Sequence, residues 1–211
     1  MPLSIDYGFY SKKVSYQNKI KNLNEKYFNI VTVANFREYK NLDVMIKAFI
    51  LFNKKIPKSN FIVIGGDYLN RPDIFREQKG GKPSIDEMVK ESRNIFWLGQ
   101  TPPKRIREIF SICDVFVSSS TEEAQGLTNY EAGAAGKALC FSDIPSLRLN
   151  FKNSALYHKA KDFKKLSENF MKYYKGRKLR EENAGKAKKL VKGWDYSVLS
   201  RKLKKIYKSL L

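Results

Sequence analysis

Five times along this chain an unbroken apolar run of strand length alternates with a segment whose apolar residues recur three and four apart. "FNIVTVANF" (28–36) is followed by "LDVMIKAFILFNKKI" (42–56). "NFIVIGG" (60–66) is followed by a polar loop holding Pro72, Gly80, Gly81 and Pro83, and then by a helix from about Ser84 to Ser92. "NIFWLGQ" (94–100) precedes "PPKRIREIFSIC" (102–113), whose prolines suit a first helical turn. "DVFVSSS" (114–120) leads through a glycine turn into a helix from about Leu127 to Gly136, and "KALCFSD" (137–143) is the fifth strand. Continuous β-branched runs mark strands covered on both faces. Alternating elements with short connections then argue for a parallel sheet with right-handed crossovers and helices on both sides. The predicted fold class is therefore α/β and Rossmann-like. In such sheets ligands bind beyond the carboxyl ends of the strands, so a site is expected on that edge.

From about Asp162 the pattern is helical, through "DFKKLSENFMKYYKG", "RKLREENAGKAKKLVKG" and "DYSVLSRKLKKIYKSLL", with Lys and Arg on the outward positions. The polar stretch from Ser11 to Lys26 reads either as a connector or as a helix. Charge is uneven: of a net +20, residues 151–211 alone carry +14. Such a field favours polyanions, either nucleic acid or an anionic membrane surface, or else it only solvates helix faces.

Cys113 and Cys140 lie inside apolar runs, which points to buried free thiols in a reducing compartment. The one histidine, His158 in "ALYHKAKD", has no histidine partner; that excludes histidine-rich metal ligation and leaves a surface or packing role. No stretch approaches the ~20 apolar residues that cross a bilayer. The start, "MPLSIDYGFYSKK", has no apolar h-region of a signal peptide. The expected location is cytoplasmic, with peripheral contact to the inner face of the membrane.

In "SSSTEEAQGLTNYEAGAAGK" (118–137) a strand end, a turn with Gly126 and a helix start near Leu127 would aim unpaired backbone N–H groups off the sheet edge, which makes an anion site. Gly126 serves either a close approach and positive φ or an ordinary turn. Glu131, about one turn into the helix, can accept two hydroxyls from a diol such as ribose. The small residues around it let the helix pack closely on the sheet. Glu123 precedes the turn and can face a sugar hydroxyl or a developing positive charge beside a phosphate leaving group. Two acids in this order around a glycine are hard to explain by packing.

"SSSTEEAQGLTNYEAGAAGKALCFSD" resembles the donor-binding signature of the glycosyltransferases of family 4 and their relatives with the GT-B fold. "VTVANFREYKNLDVMIKAF" is similar to that family's first strand and phosphate loop, "FIVIGGD" to its strand ending in Gly-Asp, and "WDYSVLSRKLKKIYKSLL" to its closing helix. "NIFWLGQTPPKRIREIFSICDVFVSSS" resembles the next strand, loop and helix.

The resemblance implies a nucleotide-sugar-binding domain over residues 29–211, preceded by an interlobe connector over 1–28. It implies a nucleoside diphosphate sugar (UDP-, GDP- or ADP-sugar) as donor substrate, a glycan or lipid-linked acceptor, retention of anomeric configuration, and no cofactor. Glu131 would hold the ribose hydroxyls, and Glu123 would face the donor sugar. The turn Ala124, Gln125, Gly126, Leu127 and Thr128 would contact sugar and phosphates. Lys40 would neutralise the departing diphosphate, and Gln100 and Thr101 would lie by the base. No metal is implied, because Arg, Lys and helix N-termini carry the leaving-group charge.

Departures from the family pattern are specific. Asn35 stands where arginine is common, so either Arg37, two residues on, supplies the missing guanidinium or the phosphates are held less tightly. Ala124 and Gln125 replace Gly and Phe, and "DIPSLRLNF" lacks the acid of the later glycine-rich stretch. The opening "PLSIDYGFYSKK" resembles the interlobe segment, so a separate N-terminal acceptor lobe, in a longer chain or a partner subunit, is expected to be needed for transfer. The isolated lobe is then expected to bind donor without transferring sugar. Two other readings stand beside this one: a basic nucleic-acid or polyanion module, and a non-catalytic nucleotide-sensing subunit. The basic helices lack the interleaved exposed aromatics of a single-strand platform, so nucleic acid is not the expected partner.

Overall fold

The computed structural model describes residues 4–17, 19–35, 37–66, 89, 92 and 94–209. The helix expected over 84–92 and the loop before it lie outside the described residues, apart from Val89 and Ser92. Among the described residues six parallel strands form one sheet: β1 (Phe28–Val33), β2 (Ser59–Ile64), β3 (Ile95–Trp97), β4 (Val115–Ser118), β5 (Ala138–Ser142) and β6 (Ala155–His158), in the order β3-β2-β1-β4-β5-β6. The order reverses between β1 and β4, where Ile30 pairs with Val115 and Val31 with Phe116. That reversal is the topological switch point at which such sheets open a crevice.

Successive strand residues feed opposite faces, as a pleat of period two requires. Ile30, Phe61, Val63, Val115 and Val117 pack under α2 (Leu42–Asn53) and under a later helix (Phe163–Lys175). Val31, Ile62, Phe116, Leu139 and Phe141 pack on the other side, under helices at Pro103–Ile112, Leu127–Ala134, Pro145–Phe151 and Arg177–Val191. In chain order, with α1 at Tyr7–Ser11, these are α3 (Pro103–Ile112), α4 (Leu127–Ala134), α5 (Pro145–Phe151), α6 (Phe163–Lys175) and α7 (Arg177–Val191), followed by α8 (Tyr196–Ser209). Gly133 of α4 lies so close to Val191 of α7 that a Cβ would sit 3.0 Å from its Cγ1, so the small-residue run also serves a helix–helix contact.

Three named elements go beyond the sequence reading, namely the short helix α1, α5 and the edge strand β6. "ALYH" is only four residues with half-buried central positions, too short to register as a run; pairing to β5 from Leu139↔Ala155 to Ser142↔His158 makes it a strand. His158 is accordingly buried, 2% exposed, and its role is internal. Both cysteines are free and buried, and burial pushes the Cys113 thiol up to about 12. No helix among the described residues is long and apolar enough to cross a membrane.

Candidate functional site

The loops leaving β1 and β4 meet across the switch point and are stitched together at three places. Asn41, in the left-handed region at φ 47°, donates from Nδ2 to the Ser119 carbonyl at 2.8 Å. The Thr121 amide donates to the Tyr39 carbonyl at 2.8 Å. Lys40 Nζ donates to Glu123 Oε2 at 2.6 Å, with the two side chains only 18% and 8% exposed. Lys40 comes from a 3-10 turn over Glu38–Lys40 that stops at Asn41, the N-cap of α2. The expected leaving-group cation and the expected sugar-facing acid are thus one ion pair.

Gly126 caps α4 at φ 61°, ψ 68°. A Cβ there would overlap the Glu123 carboxylate and the Asn129 amide, so the glycine is required both by backbone conformation and by what lies against it. Leu127 and Thr128 open α4 without a side-chain cap, which leaves their amides at the helix N-terminus. Ala124 is exposed and Gln125 half-buried in the preceding turn. Asn129 is 1% exposed, and its Nδ2 has no protein partner.

Glu131 sits in the second turn of α4. Burial raises its carboxyl pKa, and a hydrogen bond donated by the Tyr10 hydroxyl pulls it partway back. The Tyr10 phenol is itself raised, first by burial and then by the Glu131 charge. Tyr10 reaches this position because α1 packs on α4, with its ring 6.3 Å from that of Phe110. One carboxylate has about four acceptor positions, so this contact leaves Glu131 able to take further donors.

The other expected residues spread along the same edge. Asn35 and Arg37 are exposed in the β1 loop, joined by the Arg37 amide donating to the Asn35 carbonyl at 2.9 Å. Gln100 is exposed after β3, and Thr101 Oγ1 donates to the Gly99 carbonyl at 3.1 Å. That loop joins the end of β2 through the Gly65 amide and Gly99 carbonyl at 2.8 Å, on the far side of β2 from the Lys40–Glu123 pair. Sequence reasoning missed Asn41, Asn129 and Tyr10. An Asn just before the periodic run "LDVMIKAF" is a helix-start signal that could have found Asn41. Tyr10, 121 residues from Glu131, carries no such signal.

Beneath the loops lies a buried polar layer. Ser142 Oγ donates to the Ser120 carbonyl, and Ser119 Oγ shares a 2.9 Å hydrogen bond with His158 Nε2. Burial lowers the His158 pKa from 6.5 to about 4, against the pull of Asp162 and Asp143. The unfolded chain therefore binds a proton that the folded chain refuses between about pH 6.5 and 4. This contribution is complete above pH 6.5 and is lost as pH falls through that window, by about 3 kcal/mol in all. Urea unfolding at pH 7 and pH 4.5 should show His158→Gln losing less stability than the parent on acidification. Glu131 and Asp114, whose pKa values are raised, act in the opposite sense in both proteins and cancel in the difference.

Among the described residues no cluster of three or more His, Cys, Asp or Glu could hold a metal ion. The family model described as "Glycosyl transferases group 1" matches residues 15–190. An alpha-monoglucosyldiacylglycerol synthase of Acholeplasma laidlawii is 35% identical over 111 residues, covering 51% of this chain and 25% of that enzyme. The chain spans between 21% and 37% of the length of the curated relatives it matches. Among solved structures, Anabaena HepE in complex with UDP superposes with a TM-score of 0.80 at 15% identity, covering 98% of this chain and 56% of that one. The pneumococcal O-GlcNAc transferase GtfA, in complex with UDP and GlcNAc, gives 0.68 at 22% identity, covering 98% and 38%. At such identities the superpositions establish the fold.

Proposed function

The chain belongs to the glycosyl transferases of group 1, and we propose that within that family it is the donor-binding lobe of a retaining enzyme that takes a nucleoside diphosphate sugar. The observation that carries this reading is the ion pair of Lys40 and Glu123 set against the open N-terminus of α4 at the switch point. There a diphosphate would meet the backbone amides of Gly126, Leu127 and Thr128 and the ammonium of Lys40, with Arg37 and Asn35 on the outer side. Glu131 would take the ribose hydroxyls on the acceptor positions Tyr10 leaves over. Glu123, released from Lys40 as the lysine turns to the phosphates, would face the sugar, with Ala124 and Gln125 beside it. Gln100 and Thr101 would lie by the base. Cationic side chains and amides would supply the leaving-group stabilisation without a metal.

HepE, solved with UDP, supports a uridine donor, and the monoglucosyldiacylglycerol synthase is in keeping with a lipid acceptor, within the glycan or lipid-linked class expected. Residues 1–28 would join this lobe to an acceptor lobe, in the same longer protein or in a partner, and transfer would need both. The basic C-terminal helices would rest on an anionic membrane surface, in keeping with the excess charge of residues 151–211.

A thermal-shift panel of UDP, GDP, ADP and their sugars tests the reading. One nucleotide should raise the melting temperature, by RT ln(1 + [L]/Kd) in free energy, about 2.7 kcal/mol at a hundredfold excess over Kd. Glu131→Ala should abolish the shift while leaving far-UV circular dichroism unchanged. Stabilisation by no nucleotide, or an undiminished shift in the variant, overturns it.

A further inference from the structure

At the opposite edge of the sheet a cavity of about 520 Å³ opens between the N-terminal segment, α3, the α4–β5 turn and α7. It lies at the C-terminal end of α4, about 12 Å from Gly126 along eight residues of helical rise, and Tyr10, whose hydroxyl meets Glu131, is part of its wall. Lys12, Lys13, Arg107, Lys137 and Lys188 line it, against one carboxylate, Glu181. A smaller neighbouring cavity shares Lys13 and Arg107 and adds Lys104 and Glu108. Both acids are already paired with cations outside these linings, Glu181 with Arg177 at 2.8 Å and Glu108 with Arg105 at 2.7 Å. The cations of the larger cavity outnumber its one carboxylate five to one.

Three of the cations are held in place by the protein. Lys137 Nζ donates to the Cys113 carbonyl at 3.2 Å, and Lys188 Nζ donates to the Ser11 carbonyl at 3.3 Å. Arg107 donates from Nη1 to the Phe9 carbonyl at 3.2 Å and stacks 4.2 Å over the Phe9 ring, while its Nε is buried with no protein partner. A lysine has three donors and an arginine five, and each of these groups spends one in the contacts named. What remains is a set of tethered cationic groups with donors to spare around one space, with Phe110 and Ala184 among its apolar lining. Ordering these side chains is part of the entropy a ligand would otherwise have to oppose.

We infer that this crevice is a second anion site, distinct from the donor edge, which takes a phosphate-bearing group. The group comes from either a free oligophosphate or an anionic lipid headgroup, and the apolar lining suits both.

The test labels the full chain with [15N]glycine. Gly136 and Gly185 line the crevice, and Gly126 marks the donor turn. Titration with inorganic tripolyphosphate should shift the Gly136 and Gly185 amides. Lys12→Gln/Lys13→Gln, two exposed positions, should weaken that binding at least tenfold. Lys204→Gln/Lys205→Gln on α8, with the same change in net charge, should leave it within twofold. Flotation with phosphatidylglycerol vesicles, absent with pure phosphatidylcholine and weakened by the crevice variant beyond any loss in the α8 variant, assigns a headgroup. Amide shifts without such flotation assign a soluble phosphate. Stationary Gly136 and Gly185 signals, or equal weakening by the α8 variant, overturn the inference.

Discussion

Replacing Lys40 by alanine is expected to destabilise the chain by about 3–5 kcal/mol, because it strands the Glu123 carboxylate where its side chain is 8% exposed. At 211 residues this corresponds to a fall of roughly 10 °C in melting temperature. An exposed ion pair is worth less than about 1 kcal/mol, so the size of the loss reports burial rather than attraction. The double replacement Lys40→Met/Glu123→Leu, which removes both charges and keeps the volume, should recover most of the stability. If the proposed donor site is right, neither variant binds nucleoside diphosphate as the parent does. Affinity should fall ten- to a hundredfold with the loss of a charge-assisted contact to the diphosphate. Urea denaturation of the two variants and calorimetric titration with the nucleotide found in the thermal-shift panel read these two effects separately. A loss under 1 kcal/mol in Lys40→Ala shows that the pair is solvated. Undiminished nucleotide affinity shows that Lys40 serves the fold alone.

The sheet was legible because burial on both faces leaves a strong trace. "FIVI" in β2 and "VFV" in β4 are continuous apolar runs only because alternate residues enter two different cores. The edge strand β6 left no such trace: its pairing to β5 and the hydrogen bond between Ser119 and His158 stabilise it, and both are tertiary. At the site, Gly126, Glu123 and Lys40 were readable as separate residue types. That Lys40 and Glu123 form one pair was not, since 83 residues separate them and the contact exists only once β1 and β4 lie side by side. Tyr10 illustrates the same limit in the segment read as a connector. Its ring is buried against Phe110 and its hydroxyl meets Glu131, yet "DYGFYSKK" is locally indistinguishable from a polar lead-in.

Gly126→Val concentrates the whole turn into one measurement. At φ 61° a β-branched residue is a backbone outlier, with a left-handed cost of about 1–2 kcal/mol. Its Cβ would also fall on the Glu123 carboxylate and on Asn129, two side chains that cannot both withdraw, since Asn129 is enclosed at 1% exposure. Forced overpacking of this kind adds about 1–3 kcal/mol. The expected loss is therefore about 2–5 kcal/mol, together with displacement of Glu123 from Lys40. Gly126→Ala meets the same collision at its Cβ but is spared the further strain of a branched side chain, so its loss should be smaller. Because the collision involves Glu123 directly, Glu123→Ala combined with Gly126→Ala should be less destabilised than the sum of the two single changes, by at least 0.5 kcal/mol of coupling. Strict additivity would mean that the alanine methyl finds room without moving Glu123. The turn would then not be holding the acid in place, and the geometric basis for assigning Glu123 to the site would be gone.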